Sequence, residues 1–120
     1  MKKIMVAEEN HEMRNILAIR LEINGYSVIT AGDGEEALLK AKKEKPDLAI
    51  LDLMMPKING FEVCRMLKFD DKHKGMPVIV LSALDQQKDR DKASKCGAEA
   101  YFIKPFDLET LLKKIKDLIG

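Results

Sequence analysis

An α/β domain built on one parallel sheet is what the sequence predicts, and three observations carry that expectation. Short apolar runs alternate with helical patterns from one end of the chain to the other, the order that builds βαβ units. One of these runs, residues 48–51 (LAIL), is continuously apolar and bounded by turn signals, as a strand buried on both faces is. It stops abruptly at Asp52, ahead of a turn segment containing Pro56 and Asn59-Gly60. In an open α/β sheet ligands bind at the carboxyl ends of the strands, so Asp52 stands at the mouth of a candidate site. On this segment alone, an aspartate that merely satisfies loop backbone donors is an equal alternative.

The other elements follow in order. Residues 4–7 read as the first strand, with Glu8, Glu9 and Asn10 directly behind it. Asn10 is placed to cap a helix whose buried stripe is Met13, Ile16, Leu17 and Leu21, and Asn24-Gly25 ends that helix. Residues 26–30 form a second strand; Ser27 and Thr30 make it polar enough for a sheet edge. Asp33 and Glu36 have capping-box spacing and open a helix to about residue 44, stopped by Pro46. After the strand that ends at Asp52, Asn59 and Glu62 repeat the cap spacing and start a helix carrying Phe61, Val63, Cys64, Met66 and Leu67. A polar loop at 69–75 leads through Pro77 to a fourth strand at 78–81, which ends at Ser82. The fourth helix, about 86–96, has only Ala93 and Cys96 as apolar anchors; tertiary burial supplies most helix stability, so it is expected to be weakly held. Gly97 suits the position after its cap. A fifth strand at 100–103 ends in Lys104-Pro105, and Asp107 caps a last helix with Leu108, Leu111, Leu112, Ile115 and Leu118 on one face.

Composition narrows the function. The 120 residues suit one domain, residues 1–120, with a single core. A net charge of +1 gives no electrostatic case for direct nucleic-acid or membrane binding. No apolar run approaches the roughly 20 residues that span a bilayer, and MKKIMVAEEN has too short an apolar stretch for a signal peptide. A cytoplasmic location is expected. Cys64 and Cys96 lack metal-ligand spacing and read as small apolar residues in a reducing compartment, neither disulfide nor metal site. His11 and His73 read as exposed loop residues.

Four strands therefore end in chemistry: Glu8 and Glu9, Asp52, Ser82, and Lys104. A parallel sheet puts those four ends on one edge. Three carboxylates together repel and raise one another's pKa unless a cation is present, and Mg²⁺ is the usual hard cation for such oxygens. A dication, an ammonium and a hydroxyl around one aspartate describe a site for a phosphoryl group.

With these residues in place, the chain resembles the receiver domain of two-component response regulators. The matching motifs are KKIMVAEEN, LAILDLMMPKINGFEVC, MPVIVLSA and GAEAYFIKPF, and they cover about residues 2–119. The resemblance implies a flavodoxin-like, doubly wound (βα)5 fold with a five-stranded parallel sheet of order 2-1-3-4-5. It implies that Asp52 is the phosphoacceptor for a phosphohistidine on a histidine kinase or phosphotransfer protein. Glu8, Glu9, Asp52 and the Met54 carbonyl would hold Mg²⁺, with Glu9 nearer the metal. Ser82 and Lys104 would bind the phosphoryl group, and Ser82 with Tyr101 would form the switch. Lys104-Pro105 is expected to be cis. The face of helix 4, strand 5 and helix 5 would bind a downstream target or an output domain, or pair two copies in a homodimer. Such a domain promotes its own phosphorylation without being a turnover enzyme. Met54 and Leu84 flank the site without a polar group to orient water, so slow loss of phosphate is expected.

One departure is chemical. The family's commonest acidic pair is two aspartates, and the extra methylene of Glu9 moves its carboxylate by roughly 1.5 Å. Mg²⁺ demands near-ideal octahedral geometry, so either the backbone adjusts, or Mg²⁺ affinity drops, or Mn²⁺ serves better. If Glu8-Glu9 is only a solvated acidic loop, the domain is a degenerate receiver, a phosphate-independent protein-interaction module. A flavin carrier on the same fold class is a third alternative, against which stand the acidic Glu8-Glu9-Asn10 loop and the absence of Trp.

Overall fold

Alternation along the strands decides which helix covers which face. The computed structural model describes residues 1–120. Its strands are β1 (Lys3–Ala7), β2 (Ser27–Ala31), β3 (Leu48–Asp52), β4 (Val78–Ser82) and β5 (Ala100–Ile103). All pair in parallel, in the order β2-β1-β3-β4-β5. Its helices are α1 (His11–Ile23), α2 (Gly34–Glu44), α3 (Gly60–Lys68), α4 (Gln87–Lys95) and α5 (Leu108–Ile119). Ile4, Val6, Leu48, Ile50, Ile79 and Leu81 face one side of the sheet, where Leu17 and Leu21 of α1 and Leu111 and Ile115 of α5 cover them. Met5, Ala7, Ala49, Leu51, Val78 and Val80 face the other, under α2, α3 and Ala93 of α4. Period-two alternation on strands buried on both faces thus produces the doubly wound α/β fold. The expected fold class and strand order are both found.

The helix starts are built as their sequences predict. Asn10, Asp33 and Asn59 each accept a bond from the amide three residues on, at 2.9, 2.8 and 3.0 Å. Asp107 departs from this. It sits at the cap position of α5, but its side chain accepts from the Thr110 hydroxyl instead of a backbone amide. β2 is an edge strand and begins at Ser27, one residue later than expected.

Two expectations about burial are corrected. Ile16 is 56% exposed, because the stripe that meets the sheet is Met13, Leu17 and Leu21, and Ile16 falls with Ile19 and Ile23 on the outer face. His73 is buried: its ring Nδ1 lies 2.9 Å from Asp70 Oδ2, and its Nε2 has no partner. Cys64 and Cys96, distant in sequence, touch. The expectation of a thinly held α4 is met: Ala93 is its one buried residue.

Candidate functional site

Strand register builds the site. β1 pairs with β3 so that Ala7 stands opposite Leu51, and one step further Glu8 reaches Asp52. β4 pairs with β5 so that Ser82 stands opposite Ile103, and the next amide, that of Lys104, donates to the Ser82 carbonyl at 2.8 Å. The Lys104 side chain then crosses the strand ends. Its ammonium lies 2.7 Å from Glu8 Oε1 and 3.3 Å from Asp52 Oδ2. Glu8 is 2% and Asp52 5% exposed, so this three-charge cluster is largely withdrawn from water. The remaining carboxylate oxygens are occupied too: Glu8 Oε2 accepts from the Asn10 amide at 3.1 Å and Asp52 Oδ1 from the Met54 amide at 3.2 Å.

One ammonium does not balance two buried carboxylates. Burial, and then the adjacent Asp52, push the Glu8 carboxyl above its usual range, against the opposing pull of Lys104 and the Asn10 amide. For Lys104, burial works against the charged form, yet the bond to Glu8 and the charge of Asp52 win and raise its pKa. Asp52 raises both, whereas burial leads the shift of Glu8 and opposes that of Lys104.

Glu9 behaves differently from Glu8. It is exposed and lines the rim of the cleft, about 420 Å³, whose other walls are Glu8, Asn10, Asp52, Met54 and Lys104. The carboxylate drawn in beside Asp52 is thus Glu8, while Glu9 stays at the rim. No three carboxylates gather at the spacing of a ready-made metal centre. The donors nevertheless suit a hard dication. They are all oxygen, and Glu8, Glu9, Asp52 and Lys104 together carry a formal charge of −2.

The second half of the site lies at the end of β4. Ser82 is fully buried, and its hydroxyl accepts from the Leu84 amide at 3.0 Å. The Tyr101 hydroxyl donates to the Leu84 carbonyl at 2.8 Å. Ser82 and Tyr101 therefore hold the two polar groups of one loop residue. Burial raises the Tyr101 phenol pKa. Lys104-Pro105 is cis, as expected.

Two contributors escape the strand-end pattern. Arg14 donates to the Glu8 carbonyl at 3.0 Å and braces the acidic loop from α1; its only sequence signal is its place one turn beyond the Asn10 cap. At Gly60 a β-carbon would strike the Asp52 carbonyl oxygen and the Leu53 backbone, so only glycine lets α3 start against the end of β3.

Comparison with known proteins follows from this geometry. The model of the family described as response regulator receiver domain matches residues 4–116. The alkaline phosphatase synthesis transcriptional regulatory protein PhoP of Bacillus subtilis is 41% identical over 118 residues, which cover 98% of this chain and 48% of that one. The chain spans about half the length of the curated relatives it matches. Among solved structures, the chemotaxis protein CheY4 of Vibrio cholerae superposes with a TM-score of 0.92 at 32% identity, covering 99% of each chain. The response regulator TrrA of Thermotoga maritima, in complex with Mg²⁺-BeF, gives 0.88 at 36% identity, covering 99% of this chain and all of its own. No helix is long and apolar enough to cross a membrane. On these grounds the chain belongs to the response regulator receiver domain family of two-component signalling.

Proposed function

We propose that this receiver is a phosphorylation switch in which Asp52 accepts a phosphoryl group from a phosphohistidine of a histidine kinase or phosphotransfer protein. The observation that carries the reading is the Glu8–Lys104–Asp52 cluster: a buried carboxylate at a strand end with a lysine ammonium 3.3 Å away and negative charge in excess. Asp52 Oδ attacks phosphorus, the P–N bond breaks, and its electron pair leaves with the donor imidazole. Lys104, already spanning Glu8 and Asp52, neutralises the phosphoryl oxygens, and the Ser82 hydroxyl donates to one of them. Glu8, Glu9, Asp52 and the Met54 carbonyl would hold Mg²⁺ or Mn²⁺, which would supply the remaining charge neutralisation. The Mg²⁺-BeF complex of the Thermotoga relative supports that metal requirement by likeness.

The response travels through Leu84. When Ser82 turns to the phosphoryl group, the Leu84 amide loses its acceptor, and the loop whose carbonyl holds Tyr101 is released to move. The surface of α4, β5 and α5 changes with it. A partner of the same polypeptide or a separate protein reads that surface; the transcriptional regulators among the relatives are twice this chain's length. The exposed Glu9 favours a second reading, a degenerate receiver that binds partners without phosphate.

Intact mass after incubation with acetyl phosphate, with and without Mg²⁺, separates the two. A metal-dependent gain of one phosphoryl group, absent in Asp52→Asn, is expected. No gain with Mg²⁺ or Mn²⁺ in folded protein would replace the switch with the interaction module.

A further inference from the structure

The fold joins two thiols that the phosphorylation site does not use. Cys64 is fully buried on α3, and Cys96, the C-terminal cap of α4, is half-buried. They are 32 residues apart in sequence, yet the Cys64 thiol donates to the Cys96 carbonyl oxygen at 3.4 Å. Cys96 also packs against the apolar cluster that contains Cys64. The pair sits on a mechanical boundary. α3 is held by Phe61, Val63, Cys64 and Leu67, whereas α4 buries Ala93 alone and adds the Lys92 ammonium 4.5 Å above the Phe61 ring.

We propose that Cys64 and Cys96 close a reversible disulfide that ties the C-terminal end of α4 to α3. An S–S bond needs Cα atoms about 4.4–6.8 Å apart. With the Cys64 sulfur already against the Cys96 backbone, closure asks the Cys96 Sγ to swing onto it. The oxidant is a small disulfide such as glutathione disulfide. Cys96 is the accessible partner and attacks first: its thiolate displaces one glutathione thiolate and leaves a mixed disulfide. The Cys64 thiolate then attacks Cys96 Sγ and displaces the second glutathione. Two thiol protons and two electrons leave the protein, and the oxidant becomes two thiols.

Thiolate supply sets the pace. Burial pushes the Cys64 thiol up to about 12, with Cys96 adding to the shift. Burial raises Cys96 as well, while Lys92 and Arg65 nearby favour its thiolate. Because the thiolate is the nucleophile, oxidation is slow at neutral pH and accelerates with alkali. The consequence, which rests on the switch reading above, is an α4 fixed in place whatever the state of Asp52.

The test uses reduced, folded protein treated with glutathione disulfide at mildly alkaline pH without denaturant. The expected product has lost two hydrogens, and its peptide map joins Cys64 to Cys96. Cys64→Ala is expected to stop at a glutathione adduct on Cys96, and Cys96→Ser to react at neither position. A lasting glutathione adduct on Cys96 in the unsubstituted protein, or an S–S bond that forms only in denaturant, overturns the proposal. In the oxidised protein, amide exchange in α4 is expected to slow at least about tenfold; unchanged exchange overturns the clamp. Neither arm contains phosphodonor or metal, so failure here and failure of the phosphorylation reading are told apart.

Discussion

The carboxyl end of β3 and the α4–β5 edge are separated in the sheet by one strand, β4, but are built in opposite ways. All five residues of β3 are buried, as are all five of β4. No residue of β5 is fully buried, and α4 buries one. Of the charged cluster, Asp52 is mounted on the first region, whereas Lys104, directly behind β5, and the Tyr101 contact belong to the second. A buried carboxylate holds a defined geometry only where the backbone beneath it cannot yield. A surface that reports a change at that cluster needs the reverse, a small packing energy that a few hydrogen bonds can outweigh. Leu84 joins the two, bonded to Ser82 on one side and Tyr101 on the other.

The widest contrast is in stability. Leu51→Ala removes a fully buried side chain from β3 and is expected to cost about 3 kcal/mol of global stability in chemical denaturation. Ala93→Gly takes from α4 its one buried methyl and adds backbone freedom, at about 1 kcal/mol. Its effect should appear as faster amide exchange confined to α4. Equal global destabilisation by the two variants would show that α4 is part of the cooperative core and break the contrast.

Lys104→Ala tests the ammonium that the end of β5 supplies to the buried carboxylates. It leaves Glu8 and Asp52 buried without their cation, at about 2–3 kcal/mol, below the full penalty of a broken buried pair because the lysine side chain is 23% exposed. Millimolar Mg²⁺ is expected to recover part of that loss in a thermal melt, more than it adds to the unsubstituted protein. An equal Mg²⁺ effect on both would remove the excess-charge argument.

Proton linkage probes the burial of Glu8 beside Asp52. The folded-state pKa of Glu8 lies above the ordinary carboxylate value, so the folded protein binds that proton more tightly than the unfolded chain does. The contribution is fully present below the ordinary value and is lost as pH rises through the raised one. Asp70, lowered by the Lys72 amide and then His73, acts in the opposite sense: its contribution is present above the ordinary value and lost as pH falls through its depressed one. Denaturation across the acid range should give Glu8→Gln a relative stability that improves with rising pH. A difference that stays flat would mean that burial beside Asp52 does not raise the Glu8 pKa.

Sequence and structure agree most closely where chemistry terminates a strand. Asp52, Ser82 and Lys104 were readable because each interrupts an apolar run at its end, and parallel pairing then puts those ends on one edge. Side-chain choices decided by a neighbouring element were not readable. α1 has apolar residues at 13, 17 and 21 and again at 16, 19 and 23, and only the sheet selects between the stripes. His73 lies in a polar run, and nothing local announces that Asp70, three residues earlier, will cover it. Glu8 and Glu9 are identical in type, and the register of β1 against β3 alone turns the first toward Asp52. Cys64 and Cys96 meet because α3 and α4 are neighbours on the same face, which no spacing reveals.

Tyr101→Phe tests the yielding side with the smallest perturbation, one oxygen atom. The ring keeps its packing against the cluster under α4, and the Leu84 carbonyl loses a 2.8 Å bond. A net loss of about 1 kcal/mol is expected, the ordinary worth of such a bond. Because the Ser82–Leu84 bond and the Lys104 cluster are untouched, phosphorylation by acetyl phosphate should keep its rate. What should change is transmission: amide exchange in the 83–86 loop and in α4 should already be fast before phosphorylation, and the further change on phosphorylation should shrink. If exchange in α4 instead matches the unsubstituted protein in both states, the Tyr101 hydroxyl is only a packing detail, and the two regions communicate by another route.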